Sequence, residues 1–211
     1  MPEIADRSRV EAAATQSLSA LFTQQQRRIV QFGRNRVPEG EWQRQERELA
    51  ALLLLLLDDV FLAGAESALP ADAFSGFAPL GETTIPRASR DWARTMADDL
   101  AARGVFNTRQ YLDDGGSLEV AYSRERAESL TVTEVTRARV AGERAVINEL
   151  RNRGVEVLAY WRTEADAKVC PICRPLDGAD QFRWEQDFPD GPPAHPRCRC
   201  TLEYNLARES A

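Results

Sequence analysis

All four cysteines of the chain and its single histidine lie in "CPICRPLDGADQFRWEQDFPDGPPAHPRCRC", residues 170–200. A stretch this rich in proline and glycine builds neither a long helix nor a wide sheet, so its fold depends on what joins those side chains. Cys170-Pro171-Ile172-Cys173 is a C-x2-C pair, His195-Pro196-Arg197-Cys198 repeats the spacing, and Cys200 follows two residues on. Two short-spaced ligand pairs separated by a loop are how a tetrahedral zinc site is built. Each pair bends the backbone into a knuckle that aims both side chains at one ion, and Pro171 and Pro196 stiffen the bends. The expected ligands of a structural zinc are Cys170, Cys173, His195 and Cys198. Cys200 is the substitute, on the same face as Cys198 if the chain is extended there.

Two other uses of the thiols compete. Two disulfides would leave His195 idle. The N-terminal "MPEIADRSRVEAAATQ" has no basic region followed by an apolar one, which points to synthesis in the cytoplasm, where structural disulfides are rare. A redox dithiol calls for a thioredoxin-like βαβ setting, and none is visible. A catalytic zinc keeps three protein ligands and a water, and needs a base. Here five candidates compete for four places and the only imidazole is among them. The chain therefore reads as a non-enzyme. Asp166, Asp177, Asp180 and Glu185 read as carboxylates of a solvated loop.

The rest of the chain is helical in pattern. Residues 3–32 lack proline and favour helix formers. A break at 33–40 precedes a second helix over 41–68, with Trp42, Leu49, Leu53, Leu56, Val60 and Ala63 at helical spacing. Its apolar run, 49–57, is far short of the roughly 20 residues a membrane span needs. No membrane contact is expected. The run is leucine on all sides, so it is expected to be covered all round, by other helices or by self-association through 41–68. Prolines and glycines mark 70–89 as a connector. Helices are expected at 89–104, ended by Gly104, and at 107–116, capped by Asn107. Residues 117–154 form one long helix or two nearly continuous ones. Ala127, Thr131, Val135, Ala138, Gly142 and Ala145 make a small-residue stripe that lets a neighbour approach closely. Formal charge is −6, and the arginines are interleaved with acids, so the overall balance advertises no nucleic acid.

Residues 155–163 read as a strand and 200–206 as a closing strand. The fold class is mainly α: long N-terminal helices, a long central helix, and a small C-terminal α+β zinc-knuckle module with short strands around the Cys/His site. The segments are 1–69, a helical region for assembly contacts; 70–89, the connector; 90–154, helical; and 155–211, the Cys/His module.

The stretch "WRTEADAKVCPICRPLDGADQF…PDGPPAHPRCRCTL" resembles the C-terminal signature of the phage Mu F-like head morphogenesis (minor capsid, or minor head) proteins. Trp161 and Thr163 stand for its Trp-x-Thr strand, and Asp166 for its acid. Cys170 and Cys173 form the knuckle, and Leu176, Asp177 and Gly178 the turn. Pro192, Pro193, His195, Pro196, Cys198 and Arg199 complete it. Upstream, "RAESLTVTEVTRARVAGE" resembles the family's Arg-Ala-Glu…Thr-Glu…Arg-Ala helix, with Thr133 and Glu134 at its centre. The resemblance covers 124–204, and more weakly 90–123; the first 70 residues carry none.

The resemblance implies a virion component at the head interior or portal vertex, made in the host cytoplasm. Its partners would be the portal protein, the major capsid protein or both, with phage DNA a further candidate, and its task head assembly or DNA packaging and delivery. Thr133, Glu134, Trp161, Asp177 and Gly178 would be structural. Glu134 falls about 60° from the centre of the small-residue stripe, a half-buried position. It would pair with Arg137 or Arg139, bond the module's backbone, or act as a catalytic glutamate. Two other functions compete. A His-Cys zinc nuclease needs a second, general-base histidine. A zinc-stabilised adaptor docking nucleic acid through Arg197 and Arg199 predicts salt-dependent DNA binding.

Overall fold

The computed structural model describes residues 7–33, 36–68, 84–164 and 169–206. Most of the connector, together with Asp166, lies outside them. Helices α1 (Arg7–Phe32), α2 (Glu39–Ala68), α3 (Thr84–Asp113), α4 (Leu118–Ala121) and α5 (Arg124–Asn152) are followed by strand β1 (Val157–Arg162), the short helix α6 (Gln181–Trp184) and strand β2 (Thr201–Leu206). The mainly helical class with a two-stranded antiparallel sheet at the Cys/His region is as expected. Among the described residues no helix is long and apolar enough to cross a membrane.

Helix boundaries follow local chemistry. α3 is one helix where two were expected. Pro86 falls in its first turn, where a missing N–H costs nothing. Gly104 does not end it, because Val105, Thr108 and Leu112 continue the buried face begun by Ala93, Ala97 and Ala101. That burial outweighs the roughly 1 kcal/mol cost of a mid-helix glycine. The true stop is Gly115, at φ +95°: its N–H bonds the Leu112 carbonyl, and Gly116 N–H bonds that of Tyr111, a Schellman cap. α5 ends the same way at Gly154, with bonds from Gly154 to Arg151 and from Val155 to Leu150. The 117–154 stretch is two helices, because the Ser123 hydroxyl caps a fresh start by accepting from Arg126 N–H at 3.1 Å.

The chain divides into two compact units, with α2, α3 and α5 contributing to both. Within the described residues one unit comprises 7–58 and 90–131. Leu18, Phe22, Ile29, Trp42, Leu49 and Leu53 are buried in it. A buried polar chain runs through this core: Gln25 donates to the Gln45 carbonyl, Tyr122 to Gln45 Oε1 at 2.8 Å, and Gln45 to Glu41 at 3.1 Å. Arg28 closes it by pairing with both Glu41 and Glu48. Among the described residues of this chain the leucine run is covered on one face. Leu53 and Leu57 are buried but Leu55 is 68 % exposed, because the helices of this chain bury one face of α2. The buried stripe also runs through Leu57 and Phe61, where Leu56 and Ala63 were expected.

The other unit comprises 59–68, 84–89 and 132–206. Here α2 and α5 meet backbone to backbone. A Cβ on Gly142 would lie 1.9 Å from the Phe61 carbonyl oxygen, and one on Gly64 2.2 Å from that of Arg139. The small-residue stripe admits its neighbour at this point. Ala65, Val146, Ile147, Leu150 and Val157 form one core cluster beside it. β1 pairs β2 from Val157↔Leu206 to Arg162↔Thr201. Val157, Ala159 and Trp161 point inward.

Candidate metal centre

The Cys/His module is built on β1. Trp161 is fully buried in a cluster with Val140, Leu176, Trp184 and Leu202, and Cys173, Cys198 and Cys200 belong to the same cluster. Trp161 lies edge-on to Trp184 at 6.0 Å and tilted to Phe188 at 5.5 Å. The Leu-Asp-Gly turn is stitched to this strand. Gly178 N–H donates to the Trp161 carbonyl, Trp161 N–H to that of Ala179, both at 2.8 Å, and Asp177 Oδ1 accepts from Thr163 N–H at 2.9 Å. Gly178 sits at φ +76°, where only glycine is unstrained. Asp180 caps α6 by accepting from Arg183 N–H. The turn thus delivers the first knuckle to the module's core.

Both knuckles have the expected bends. Cys173 N–H points at Cys170 Sγ, 3.3 Å away, and Arg174 N–H bonds the Cys170 carbonyl. In the second, Cys198 N–H bonds the His195 carbonyl at 3.1 Å, with Arg197 in the left-handed region at φ +61°. All four cysteines are free. Cys170, Cys173 and His195 form one potential metal-binding triad and Cys173, Cys198 and Cys200 a second, so Cys173 belongs to both. The five side chains line one recess with Glu164, Val169, Arg197 and Arg199.

The residue types suit a zinc-like ion, but the expected ligands do not close on one point: Cys198 groups with Cys173 and Cys200, not with both Cys170 and His195. Bonds of about 2.3 Å to sulfur and 2.0–2.1 Å to nitrogen give tetrahedral edges of about 3.8 Å between sulfurs and about 3.5 Å from sulfur to nitrogen. Cys173 and Cys198 stand 3.8 Å apart. His195 Nε2 is 3.3 Å from Cys173 Sγ and 2.9 Å from Cys170 Sγ, so seating an ion moves the ring outward by about half an ångström. His195 Nδ1 lies 2.7 Å from the Pro196 carbonyl. A carbonyl only accepts, so Nδ1 carries the proton and Nε2 offers its lone pair to the sulfurs' side, as an orienting carbonyl does for a metal-bound imidazole. Hydrogen bonds from Cys173 and Cys200 hold the Cys198 thiol far below its usual range, and Cys198 in turn raises that of Cys173. Burial opposes ionisation of Cys170, but the backbone N–H groups of Cys173 and Ile172 leave its thiol below the ordinary value.

Helix α5 holds the second knuckle in place. Arg197 N–H donates to Thr133 Oγ1 at 2.9 Å, and Thr136 Oγ1 donates to the Cys198 carbonyl at 2.6 Å. Further along, Arg144 reaches the Pro189 carbonyl and Arg151 that of Val157. Glu134 is 3 % exposed, not half-buried. It pairs with Arg137 at 2.9 Å. Thr136 was not foreseen; its signal was the i,i+3 offset from Thr133, which places both on one helix face.

A family model described as phage Mu protein F like protein matches residues 87–203. The match spans the expected resemblance from residue 124 almost to its end, together with the weaker stretch before it. No curated protein and no solved structure matches the chain.

Proposed function

Because the chain belongs to the phage Mu protein F-like family, we propose that it is a structural head protein of a tailed phage, associated with the portal vertex or inner capsid and aiding head assembly or DNA packaging and delivery. The observation that carries this reading is the family match over 87–203, which takes in both the Thr-Glu helix and the knuckles. Portal and major capsid proteins are the partners in this reading. The contact surface is the N-terminal helical region, where Leu55 stands exposed on α2; the same face serves self-association through 41–68.

The Cys/His module is then a rigid end-piece closed by one zinc on Cys170, Cys173, His195 and Cys198. Its role is structural. Both nitrogens of the only imidazole are engaged, one toward the cysteine sulfurs and one at Pro196, which leaves no histidine to serve as a base. Structural zinc in small modules contributes on the order of 10 kcal/mol of folding free energy. Metal analysis of reduced protein should find about one zinc per chain, and Cys173→Ser should unfold 155–206 while sparing the helices.

The decisive experiment is on particles. Purified heads should contain the chain, and a variant lacking 1–68 should be made but not incorporated. Particles without the chain, or normal incorporation of the deletion, overturn the assignment. A nuclease assay in which wild type cuts DNA and His195→Ala does not, with the fold retained, overturns the non-enzymatic role.

A further inference from the structure

In the unit of 7–58 and 90–131, the last turns of α3, helix α4 and the start of α5 enclose a recess lined by Asn107, Thr108, Tyr111, Val120, Ala121 and Arg126. One wall is rigid. Tyr111 accepts from Gly116 N–H through its carbonyl and from Ser117 N–H through its hydroxyl. Its ring lies so close over Gly116 that a Cβ there would stand 2.2 Å from it. The rim is apolar, with Val120 57 % and Tyr111 40 % exposed.

Arg126 brings a charge to this recess. It is half-buried; its guanidinium donates to the carbonyls of Ala121 and Gly104 and lies 5.4 Å from the centre of the Phe22 ring. Among the described residues no carboxylate pairs with it, whereas Arg28 in the same unit has two. Burial holds the Arg126 pKa below the usual value, as for a cation short of counter-charge. A half-buried cation beside an exposed apolar rim matches an anion carried on an apolar chain. A free inorganic anion would leave Tyr111 and Val120 uncovered.

We propose that this recess docks an Asp or Glu side chain presented on an apolar segment of another protein, with the carboxylate on Arg126 and its neighbours on Tyr111 and Val120. The site is remote in sequence from the knuckles and goes beyond the head assignment, which can fail without affecting it.

The test uses the full zinc-loaded chain and the peptide acetyl-Leu-Glu-Leu-amide, with its Gln counterpart and inorganic phosphate as controls, followed by NMR. The Glu peptide should give saturable shifts at Thr108, Tyr111, Val120 and Arg126, and bind at least about five-fold more tightly than the Gln peptide. Arg126→Gln should abolish that preference. Since Arg126 also supports two carbonyls, Val120→Asp serves as a second variant; it keeps Arg126, sets a like charge on the rim and should weaken the Glu peptide at an unchanged melting temperature. Equal binding of the two peptides, shifts elsewhere, no saturation, or phosphate matching the Glu peptide overturns the proposal.

Discussion

The Thr136 hydroxyl donates to the Cys198 carbonyl at 2.6 Å, while remaining 3.1 Å from the carbonyl of Val132 in its own helix. A helix side chain thereby fixes the main chain of an expected metal ligand. Thr136→Val keeps the shape but leaves a buried carbonyl without its donor. The module should lose about 1–3 kcal/mol, and zinc affinity should fall about ten-fold. Thermal melts and chelator competition measure both. Unchanged values in both would mean the bond holds nothing.

Cys198 and Cys200 can be told apart. The 3.8 Å separation from Cys173 to Cys198 is that of two zinc-bound sulfurs. Cys200→Ser should therefore keep one metal per chain and the cobalt-substituted spectrum of three thiolates and one imidazole. Cys198→Ser should lose thiolate-to-cobalt intensity. The opposite pattern would make Cys200 the ligand.

Glu143 makes the second unit sensitive to pH. Its carboxyl is 2 % exposed; Oε1 accepts from Arg139 at 2.8 Å, but Oε2 has no hydrogen-bond partner among the described residues. Ser67 gives its proton to the Gly64 carbonyl instead. Burial pushes the pKa up to about 7, against the pull of Arg139 and from an ordinary value of 4.5. The folded chain therefore holds a proton that the unfolded chain releases between those values. This group costs nothing below the lower one, and its penalty grows as pH rises to the upper one, reaching on the order of 3 kcal/mol. Arg139 pairs with it and Tyr204 feels its charge. Glu143→Gln should gain stability relative to wild type as pH rises from 5 to 7.5 in urea unfolding. A difference that stays flat with pH would mean a carboxylate ionised throughout.

Two glycines should respond oppositely to alanine. At Gly142 the new methyl meets the Phe61 carbonyl oxygen at 1.9 Å, which is backbone and cannot swing away. The loss should be about 2–4 kcal/mol. At Gly104 the methyl meets Leu49 at 3.5 Å, ordinary contact, and mid-helix alanine should gain about 0.5–1 kcal/mol. Paired melts decide; a tolerated Gly142→Ala would mean the α2–α5 crossing is looser than it stands.

The gathering of the cysteines and His195 was legible because C-x2-C and H-x2-C bend the chain into knuckles within a few residues. The small stripe on α5 was legible for a similar reason: spacing reveals a face. What that face meets is a matter of tertiary packing. Nothing near Gly142 announces Phe61, and nothing at Gly104 itself tells that burial of Val105, Thr108 and Leu112 will carry the helix past it. Leu55 carries the same lesson in reverse: a run of identical side chains hides which of them a neighbour will cover. Thr136 and Glu143 escaped notice because a mid-helix threonine or glutamate looks the same whether it faces solvent or a buried partner.

The order of the sheet has a bearing on how the chain is made. β1 is complete at Arg162, but its partner starts only at Thr201, beyond both knuckles. At roughly 5–20 residues per second of synthesis, Trp161 waits a few seconds on the ribosome before Leu202 emerges to cover it. The helices are translated earlier and can form during that interval. The module is thus the last part of the described chain to close, and until β2 is made Trp161 lacks the Leu202 side of its packing.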